Sequence, residues 1–429
     1  MKNWTTKQLE EICEIQIGGT PSRNNSAFWD NEKITENFWV SIRDLRQKSI
    51  INTNERLSNL GVKNSNAKLV FKDTVLLSFK LTIGKVAFAG KDLYTNEAIA
   101  ALIATNIDNN FLYFGLQHWD LLQDVDQAIK GATLNKEKLK KLRITVPKDI
   151  KEQIVIAEVL GKIDSAIEQT QKLIEKQKRI KQGLMQDLLT KGIDEHGNIR
   201  NEETHHFKDS PLGRIPEEWN ALPVFEIGNV KVGRQRSPKY QTGKFTTPYL
   251  RVANVFDGFF DFSDVLEMDF TPSEKVTFSV LKGDVFLNEG QSLELVGRSA
   301  IYEGENNKYC FQNSLIRFRS FQTNNPYFCK QVFKYFLDTG KFMDVAKQTT
   351  SVAHLGTNRF AEMFFPRPEL AEQNKIVSIL KSHDNATNNL QIHLSKLEAM
   401  KKGLMQDLLT GKKSVNDLIS ERINTSQTF

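Results

Sequence analysis

The chain has 429 residues, of which 39% are hydrophobic and 26% are charged, and its formal net charge is +6. This length allows two or more domains that each bury a core, and the modest charge permits a polyanionic partner without requiring one. No apolar run reaches the roughly 18–20 residues of a membrane span, and the N-terminal segment lacks the apolar stretch of a signal peptide, so we expect a cytoplasmic protein.

Residues 1–148 form a first block of mixed structure. Runs rich in β-forming residues, separated by Gly, Asn and Asp turns, lie at 68–79, 86–89 and 98–104. A helical stretch follows at about 109–130, and Pro147 closes the block.

A long helix is predicted next, over 149–190. Asp149 with Glu152 three residues later resembles a capping box. The apolar positions that follow step by four and three residues, which is the spacing of a heptad seam. Gly183 lies inside this helix, where glycine costs about 1 kcal/mol relative to alanine. Close approach of a partner helix would explain that glycine.

Residues 191–217 are polar and contain turn residues and two prolines, so we predict a linker. His205 and His206 lie in this segment. No cysteine or third histidine occurs at ligand spacing, and a solvated loop is therefore favoured over a metal site.

The second block, residues 218–367, echoes the first. The matched positions are Trp219 with Trp4, 247–254 with 37–44, 282–287 with 72–77, and Gly297-Arg298 with Gly84-Lys85. Asn324-Asn-Pro-Tyr327 differs by one proline from a loop that grips an extruded adenine in amino-methyltransferases. It lacks the accompanying Gly-rich turn for a methyl donor, so we interpret it as a turn into a helix at 326–337.

A second long helix, over 368–411, repeats the first, and a tail at 412–429 follows it. Residues 403–410 and 183–190 both read Gly-Leu-Met-Gln-Asp-Leu-Leu-Thr. The period is far longer than a solenoid unit and predicts two similar halves, each a variable block followed by a shared helix. The simplest partner for each apolar stripe is the other helix, in an antiparallel pair. The alternative is that each helix packs only on its own block.

Enzyme signatures are largely missing. The sequence has no Walker A loop, no H-E-x-x-H zinc motif and no Glu-x-Lys triplet of the kind found in metal-dependent nucleases. The three cysteines, Cys13, Cys310 and Cys329, are too sparse for a disulfide framework or a zinc site, and we expect reduced, buried thiols. We therefore predict no catalytic residue, no metal site and no cofactor on this chain.

Signals for nucleic-acid binding are better. Hydroxyls, backbone amides and cations in turns grip phosphates, while Arg, Gln, Asn and Asp can read base edges. A single loop arginine is usually only solvated surface, but such residues recur at matching places in both blocks. The candidates are Thr20, Ser22, Arg23, Ser41, Arg43, Lys80 and Lys85 in the first block, and Arg234, Arg236, Lys239, Arg251, Asn254 and Arg298 in the second.

The chain resembles the specificity subunit of type I restriction-modification systems over nearly its whole length. The matching segments are 18–23 (Gly-Gly-Thr-Pro-Ser-Arg), 208–216, 248–255, 287–290, 297–300, 312–313 and 366–373. Each motif alone is weak, and their doubled order is specific. Gln291-Ser-Leu-Glu-Leu295 departs from the Gly/Asp-rich run that is common at this place, which puts the base contacts of the second block in doubt.

The resemblance implies an α+β protein with a pseudo-twofold internal repeat. Two mixed α/β target-recognition domains would each read half of a split site in double-stranded DNA, joined by two long antiparallel helices that form a coiled coil. The helices would dock two methyltransferase subunits, and restriction subunits would join them. The chain itself would be non-catalytic, with S-adenosylmethionine, ATP and Mg on the partner subunits.

Two alternatives remain open from the residues. One is a fused DNA adenine methyltransferase or nuclease, against which the missing motifs argue. The other is a coiled-coil adaptor without DNA specificity, against which the Arg-rich turns argue.

Overall fold

The computed structural model describes residues 3–122, 134–348 and 351–415. Contacts divide the chain into two compact units. Unit 1 comprises Met1–Lys172 and Gln391–Phe429, and unit 2 comprises Leu173–Leu390. This division cuts through both long helices, so it does not test the domain limits proposed from the sequence, which stay predictions.

The first block contains short strands, short helices and the start of a long helix. Its strands are β1 (Trp4–Gln8), β2 (Cys13–Ile17), β3 (Phe38–Val40), β4 (Ser49–Ile50), β5 (Glu55–Arg56), β6 (Leu69–Val70), β7 (Val75–Ser78), β8 (Val86–Ala89), β9 (Leu93–Thr95), β10 (Ile99–Ala104) and β11 (Arg143–Pro147). The helices are α1 (Asn59–Lys63), α2 (Asn109–His118), α3 (Lys136–Lys140) and α4 (Ile150–Thr190).

Three sheets build the first block. Strands β1 and β11 pair antiparallel, a second sheet has the order β2-β10-β7-β8-β4, and a third has the order β5-β3-β9-β6. The main core of unit 1 lies where Phe111 of α2 and Leu102 of β10 meet Ile156 of α4. The β-rich runs predicted at 68–79, 86–89 and 98–104 are thus confirmed. The predicted helical stretch ends at His118, and its residues 123–130 lie outside the described part.

Unit 2 contains the remaining strands and short helices, the end of α4 and the first part of the second long helix. Its strands are β12 (Phe207–Ser210), β13 (Gly213–Pro216), β14 (Asn220–Pro223), β15 (Gly228–Val232), β16 (Thr246–Leu250), β17 (Leu266–Asp269), β18 (Val285–Asn288), β19 (Gly290–Gln291), β20 (Ser299–Ile301), β21 (Cys310–Phe311), β22 (Leu315–Ser320), β23 (Lys347–Gln348), β24 (Ala353–His354) and β25 (Phe364–Arg367). The helices are α5 (Val224–Ile227), α6 (Pro272–Phe278), α7 (Pro326–Asp338), α8 (Lys341–Val345), α9 (Thr357–Glu362) and α10 (Leu370–Leu408).

The second block repeats the topology of the first. Strands β14 and β25 pair antiparallel as β1 and β11 do, and the order β15-β22-β18-β20 matches β2-β10-β7-β8. Strand β16 has an antiparallel neighbour, β17, and a parallel one, β21, as β3 has β5 and β9. Gly84 and Gly297 both have positive φ, +92° and +81°, just before β8 and β20. The internal repeat is therefore confirmed.

The two long helices pair antiparallel within each unit. In unit 1, Lys401 Nζ near the end of α10 lies 2.6 Å from Asp164 Oδ1 in the first half of α4. In unit 2, Lys181 of α4 forms an ion pair with Asp384 of α10. Asp164 and Asp384 are repeat-equivalent, as are Lys181 and Lys401. The alternative in which each helix packs only on its own block is wrong.

Two local predictions for the helices are corrected. Asp149 Oδ1 accepts the Lys151 amide at 2.9 Å, but Glu152 is buried beside Trp4 rather than completing a capping box. A Cβ at Gly183 or Gly403 would meet no described atom within 4 Å. The predicted close helix approach at these glycines is therefore wrong, and both glycines are exposed.

The segment predicted as a linker, 191–217, lies within unit 2 and packs against its other elements. It contains the β12–β13 hairpin, and Ile193 and Arg200 are buried. The Arg200 Nη1 atom donates to Glu372 Oε1 at 2.6 Å, which ties the segment to the start of α10. Polar composition misled the sequence interpretation here because a few buried side chains suffice to dock a hairpin.

The cysteines are free and buried, as expected. Burial raises the pKa of the Cys13 thiol to about 12 and that of Cys310 to about 11, and it also raises the pKa of Cys329. Asn325 caps α7 through its Oδ1 atom, which accepts the Tyr327 amide at 2.8 Å, so the predicted turn into this helix is confirmed. Within the described ranges, no helix combines the length and apolarity needed to cross a membrane.

Candidate nucleic-acid interface

Four loops of unit 1 meet at one end of its sheets. The Gly19 amide donates to Thr95 O at 2.8 Å, the Asn96 amide donates to Val40 O at 3.0 Å, and the Phe79 amide donates to Ala98 O at 3.0 Å. The loops 18–23, 40–44, 79–85 and 95–98 are thereby joined. We call this set of loops the unit 1 loop surface. It contains all seven candidates that the sequence gave for the first block.

Arg23 is held in place without being buried. Its guanidinium forms two hydrogen bonds with the Glu55 carboxylate, and its Cζ atom lies 3.8 Å from the centre of the Trp29 ring. The Arg23 side chain is nevertheless 51% exposed. A guanidinium fixed by a carboxylate and a ring loses little freedom on binding, which suits it to a phosphate or a base edge.

The turn 41–44 presents one free arginine. The Ser41 amide and hydroxyl donate to Asp44 Oδ2 at 2.9 and 2.7 Å, and Lys85 Nζ lies 3.5 Å from Ile42 O. Ser41 therefore shapes the turn. Arg43 is exposed, and no described residue forms a hydrogen bond or ion pair with it. It is the side chain of this turn that is free to bind.

The other unit 1 candidates have local partners. The Thr20 hydroxyl donates to Glu97, and Ser22 O accepts the Trp29 indole N–H at 3.2 Å. Lys80 is half-buried, and its Nζ atom lies 5.4 Å from the Phe79 ring centre with no ion-pair partner among the described residues. Lys80 and Arg43 are thus the cations most available on this surface.

Unit 2 builds the same turn with different chemistry. Asn254 Oδ1 accepts the Arg251 amide at 3.0 Å, as Asp44 accepts the Ser41 amide. Asn254 is buried, and its Nδ2 atom donates to Asp261 O and Asp264 O, so its amide shapes the loop and cannot also read a base in this conformation. The Arg251 guanidinium forms an ion pair with Asp264.

Arg234 and Arg236 have opposite settings. Arg234 is only 8% exposed. It donates to Asp269 O, lies 3.1 Å from Glu274 Oε1 and stacks 3.4 Å from the Tyr240 ring centre. Its role is therefore to hold the loop together. Arg236 is exposed, and within the described ranges no side chain engages it.

Hydrogen bonds lower the pKa values of two groups beside Arg234, Tyr240 and Asp269. Hydrogen bonds from Lys239 and Arg234 lower the pKa of the Tyr240 hydroxyl. Hydrogen bonds led by that from Thr242 hold the pKa of Asp269 at about 2, so this carboxylate stays charged at neutral pH. Lys239 itself is exposed and remains available to a phosphate.

Arg298 lies beside the loop that follows the 251–254 turn. Its Cζ atom is 4.8 Å from the Phe256 ring centre, and burial lowers the pKa of its guanidinium while Asp257 opposes that shift. The Asn288 backbone amide donates to Arg298 O at 2.9 Å, and the Asn288 Nδ2 atom donates to Val255 O at 3.3 Å, next to the 251–254 turn. These bonds bring 251–254, 288 and 298 into one loop surface, as in unit 1.

The sequence interpretation missed the acids that hold these cations. Glu55 and Glu97 in unit 1, and Asp264 and Glu274 in unit 2, engage predicted binding residues. They lie 13 to 77 positions from their partners in the chain, and no sequence spacing indicates such pairs. A signal does exist for Asp44 and Asn254, because both follow three residues after the residue they cap.

The described residues include the side-chain types that hold metal ions in clusters. Nowhere in those ranges do three His, Cys, Asp or Glu side chains gather as a metal would require. His205 Nδ1 pairs with the Thr204 hydroxyl at 2.8 Å. Both loop surfaces combine cations, hydroxyls and aromatic rings with the carboxylates that hold them.

A protein-family model matches most of this chain. The model of the type I restriction modification DNA specificity domain matches residues 1–178 and 216–399, one match for each half of the repeat. The chain belongs to this family. Specificity subunits of type I systems are non-catalytic, and the enzymatic activities lie on partner subunits.

Relatives and solved structures agree with the type I specificity family. The chain is 26% identical to the type I restriction enzyme MjaVIII specificity subunit of Methanocaldococcus jannaschii over 379 residues, or 83% of each protein. It is 25% identical to the MjaX subunit of that organism, spanning about half (48%) of it.

Two solved structures show the same fold. The S subunit of a type I restriction-modification system from M. genitalium matches with a TM-score of 0.53 and 16% identity over 95% of this chain and 96% of that one. A chain from a structure describing complex assembly and conformational transition of the type I system matches with a TM-score of 0.61 and 14% identity, over 95% and 98%. The α+β class expected for a type I specificity chain is thus confirmed.

Proposed function

We propose that this chain is the DNA-recognition subunit of a type I restriction-modification complex and reads a bipartite, asymmetric site in double-stranded DNA. The observation that carries the proposal is the pair of repeated turns. The turns 41–44 and 251–254 have the same backbone hydrogen bond. Their first and third residues are Ser41 and Arg43 in unit 1, but Arg251 and Ala253 in unit 2. Since the scaffold repeats and the exposed side chains do not, each unit is suited to a different half-site.

The candidates divide into two roles on these surfaces. Exposed Arg43 and Arg236 are the base-reading candidates, because arginine donates two parallel hydrogen bonds to guanine. Exposed Lys239 and half-buried Lys80 suit phosphates, which position the protein without reading sequence. The side chains that shape the loops through internal bonds are those of Thr20, Ser41, Arg234 and Asn254, while Ser22 contributes its backbone oxygen. Arg23, Lys85, Arg251 and Arg298 contact local partners and stay partly exposed.

The long helices are proposed to dock the partner subunits. Ile180 and Met400, at repeat-equivalent positions, are 41% and 55% exposed, and the exposed Gly183 and Gly403 follow three residues later in each helix. Because the internal repeat places an exposed apolar side chain at the same position in each helix, two copies of one methyltransferase subunit would bind in equivalent ways, and exposed apolar residues rimmed by polar ones mark interfaces.

The proposal assigns the remaining activities to other chains. S-adenosylmethionine is expected on the two methyltransferase subunits, and ATP and Mg on restriction subunits that join them. The assembled complex is proposed to act in the cytoplasm, where its DNA lies. This chain is proposed to recognise the DNA sequence and to provide the surface on which the enzymes assemble.

A binding experiment tests the proposal. The full-length chain with its methyltransferase partner is titrated with a duplex that carries both methylated motifs found by sequencing modified adenines in the host. Duplexes with one or the other motif scrambled serve as matched controls at physiological salt, since non-specific affinity falls steeply with salt. We expect each scrambling to weaken binding severalfold. Equal binding to all duplexes would refute sequence recognition.

A further inference from the structure

Leu81 is the most exposed large apolar side chain among the described residues. It is 87% exposed and has a φ of +64°. A bulky residue in the left-handed region is strained, and such strain tends to persist where it serves a function. Leu81 lies at the tip of the 79–85 loop, which is part of the unit 1 loop surface.

The loop that carries Leu81 is firmly anchored. The Ser78 hydroxyl donates to Thr82 O at 2.5 Å and accepts the Lys85 amide at 2.9 Å, while the Gly84 amide donates to Ser78 O at 2.9 Å. Phe79 is buried, and Ile83 packs against the core of unit 1. The backbone on both sides of Leu81 is therefore fixed, and the leucine projects from a rigid support.

The surroundings of Leu81 are cationic. Lys80 precedes it, Lys85 closes the loop, and Arg43 lies on the adjoining turn, whose Ile42 O is 3.5 Å from Lys85 Nζ. One leucine offers far too little area for a protein interface, which needs roughly 800 Å² on each side. An apolar tip between cations instead suits a polyanion with an apolar interior, and stacked base pairs in a duplex are such a target.

We propose that Leu81 is a wedge that inserts between two stacked base pairs of the half-site bound by unit 1, while Lys80 and Lys85 hold the flanking phosphates. The inference rests on the proposed function. Apolar side chains that enter a base step unstack it and bend the duplex. Because flexible steps unstack at lower cost, the wedge would favour particular dinucleotides without any base-edge contact.

The wedge would also help a partner enzyme. A methyltransferase must extrude its target adenine, and extrusion costs less where stacking is already broken. Leu81 would thus act as a positioning residue for a reaction performed on another chain. In unit 2 the matching loop is longer and carries Glu289 and Glu294, so the wedge is assigned to unit 1 alone.

The test measures unstacking directly. The full-length chain with its methyltransferase partner binds the methylated site in which 2-aminopurine replaces one purine at a time, never the adenine that is methylated. A rise in fluorescence on binding marks an unstacked base. Leu81→Gly removes the wedge, Leu81→Phe keeps an apolar one, and Phe71→Ala is the matched control. Phe71 is 65% exposed and precedes β7, at the opposite end of the β7–β8 hairpin.

We expect the fluorescence to rise at one step of the unit 1 half-site for the unaltered chain, Leu81→Phe and Phe71→Ala. Leu81→Gly should lose this rise while melting at no lower temperature, because glycine adopts positive φ without strain. Specific binding with no rise at any position, or an equal rise with Leu81→Gly, would overturn the wedge alone. Loss of methyltransferase association in Leu81→Gly, with the fluorescence unchanged, would likewise overturn it by indicating a protein contact. Equal binding of the unaltered chain to a scrambled duplex would instead refute the proposed function.

Discussion

Gln373 makes the same hydrogen bonds in unit 2 that Gln153 makes in unit 1. The Oε1 atom of Gln153 accepts the Asp108 amide at 2.9 Å, and its Nε2 atom donates to Pro147 O at 2.9 Å. Gln373 accepts the Asn325 amide at 2.8 Å and donates to Pro368 O at 2.9 Å. Each glutamine therefore ties the start of a long helix to the N-terminal end of a helix in its block, α2 or α7.

Replacing either glutamine by leucine should destabilise the protein. Both side chains are buried, so the change leaves a backbone amide and a carbonyl without partners, at a cost of roughly 2–4 kcal/mol. For units of this size the Tm should fall by roughly 5 °C or more, measured by thermal denaturation. Gln182→Leu, at an exposed position of α4, is the control and should leave the Tm nearly unchanged. A similar Tm for all three variants would contradict this role.

Glu152 and Glu372 occupy equivalent positions and bind matched tryptophans, but only Glu372 also binds an arginine. Glu372 Oε2 accepts the Trp219 indole N–H at 3.1 Å, and its carboxylate binds Arg200 and the Ile193 amide. Glu152 is buried beside Trp4. Desolvation, assisted by Asp149, raises the pKa of Glu152 against the opposing hydrogen bond from Trp4. The same substitution should therefore have opposite effects at the two positions.

Glu372→Gln should destabilise the fold by up to about 3 kcal/mol at pH 7, because buried Arg200 then keeps only the exposed Glu218 carboxylate, 3.8 Å away, as an ion-pair partner. Glu152→Gln should be neutral or stabilising at pH 7. A carboxyl whose pKa is raised on folding favours the folded state when protonated, so its contribution falls as pH rises from the unfolded value of 4.5 through the raised folded value. As the pH rises from 4 to 7, the Tm contribution lost by the unaltered chain should be absent in Glu152→Gln, so the Tm of the variant should fall less over this range. An equal loss of Tm at pH 7 in both variants would contradict the assignment.

Alanine substitutions at Arg234 and Arg236 should have different effects, the first on the Tm and the second on DNA affinity. Arg234→Ala removes a buried guanidinium that joins Asp269 O, Glu274 and Tyr240, so the Tm should fall. Arg236→Ala should leave the Tm unchanged and weaken DNA binding, by roughly 1–3 kcal/mol if the side chain reads a base. Binding is measured at several salt concentrations. A weaker affinity with an unchanged preference for the site, and a salt slope reduced by about one, would assign Arg236 to a phosphate instead.

The repeat and the helices could be predicted from the sequence because both produce regularly spaced sequence patterns. The heptad spacing and the repeated octapeptide placed α4 and α10 within a few residues. Side-chain roles were harder, because burial and distant partners decide them. Asn254 and Arg234 have side chains that can read bases, but both donate to backbone oxygens of the loops that they stabilise. The partner Glu55 of Arg23, and the positive φ of Leu81, have no counterpart in any sequence pattern.

Lengthening both helices tests whether they set the distance between half-sites. Four residues are inserted after Gln171 and after the repeat-equivalent Gln391, which adds about one turn, or 6 Å, to each helix. The preferred spacer should lengthen by about two base pairs at 3.4 Å per step, while both half-site motifs stay the same. Alanine substitutions at Gln171 and Gln391, which keep the length, serve as controls. If the preferred spacer does not change in the lengthened protein, the helices do not set the distance between the half-sites.

The division of reading between the units is tested most directly by sequencing the modified adenines in hosts that carry the unaltered chain, Arg43→Ala or Arg236→Ala. Each arginine lies on a different unit and is exposed. We predict that Arg43→Ala relaxes the sequence of one half-site and Arg236→Ala that of the other, with the spacer constant. Relaxation of the same half-site by both variants, or of both half-sites by either one, would contradict the account.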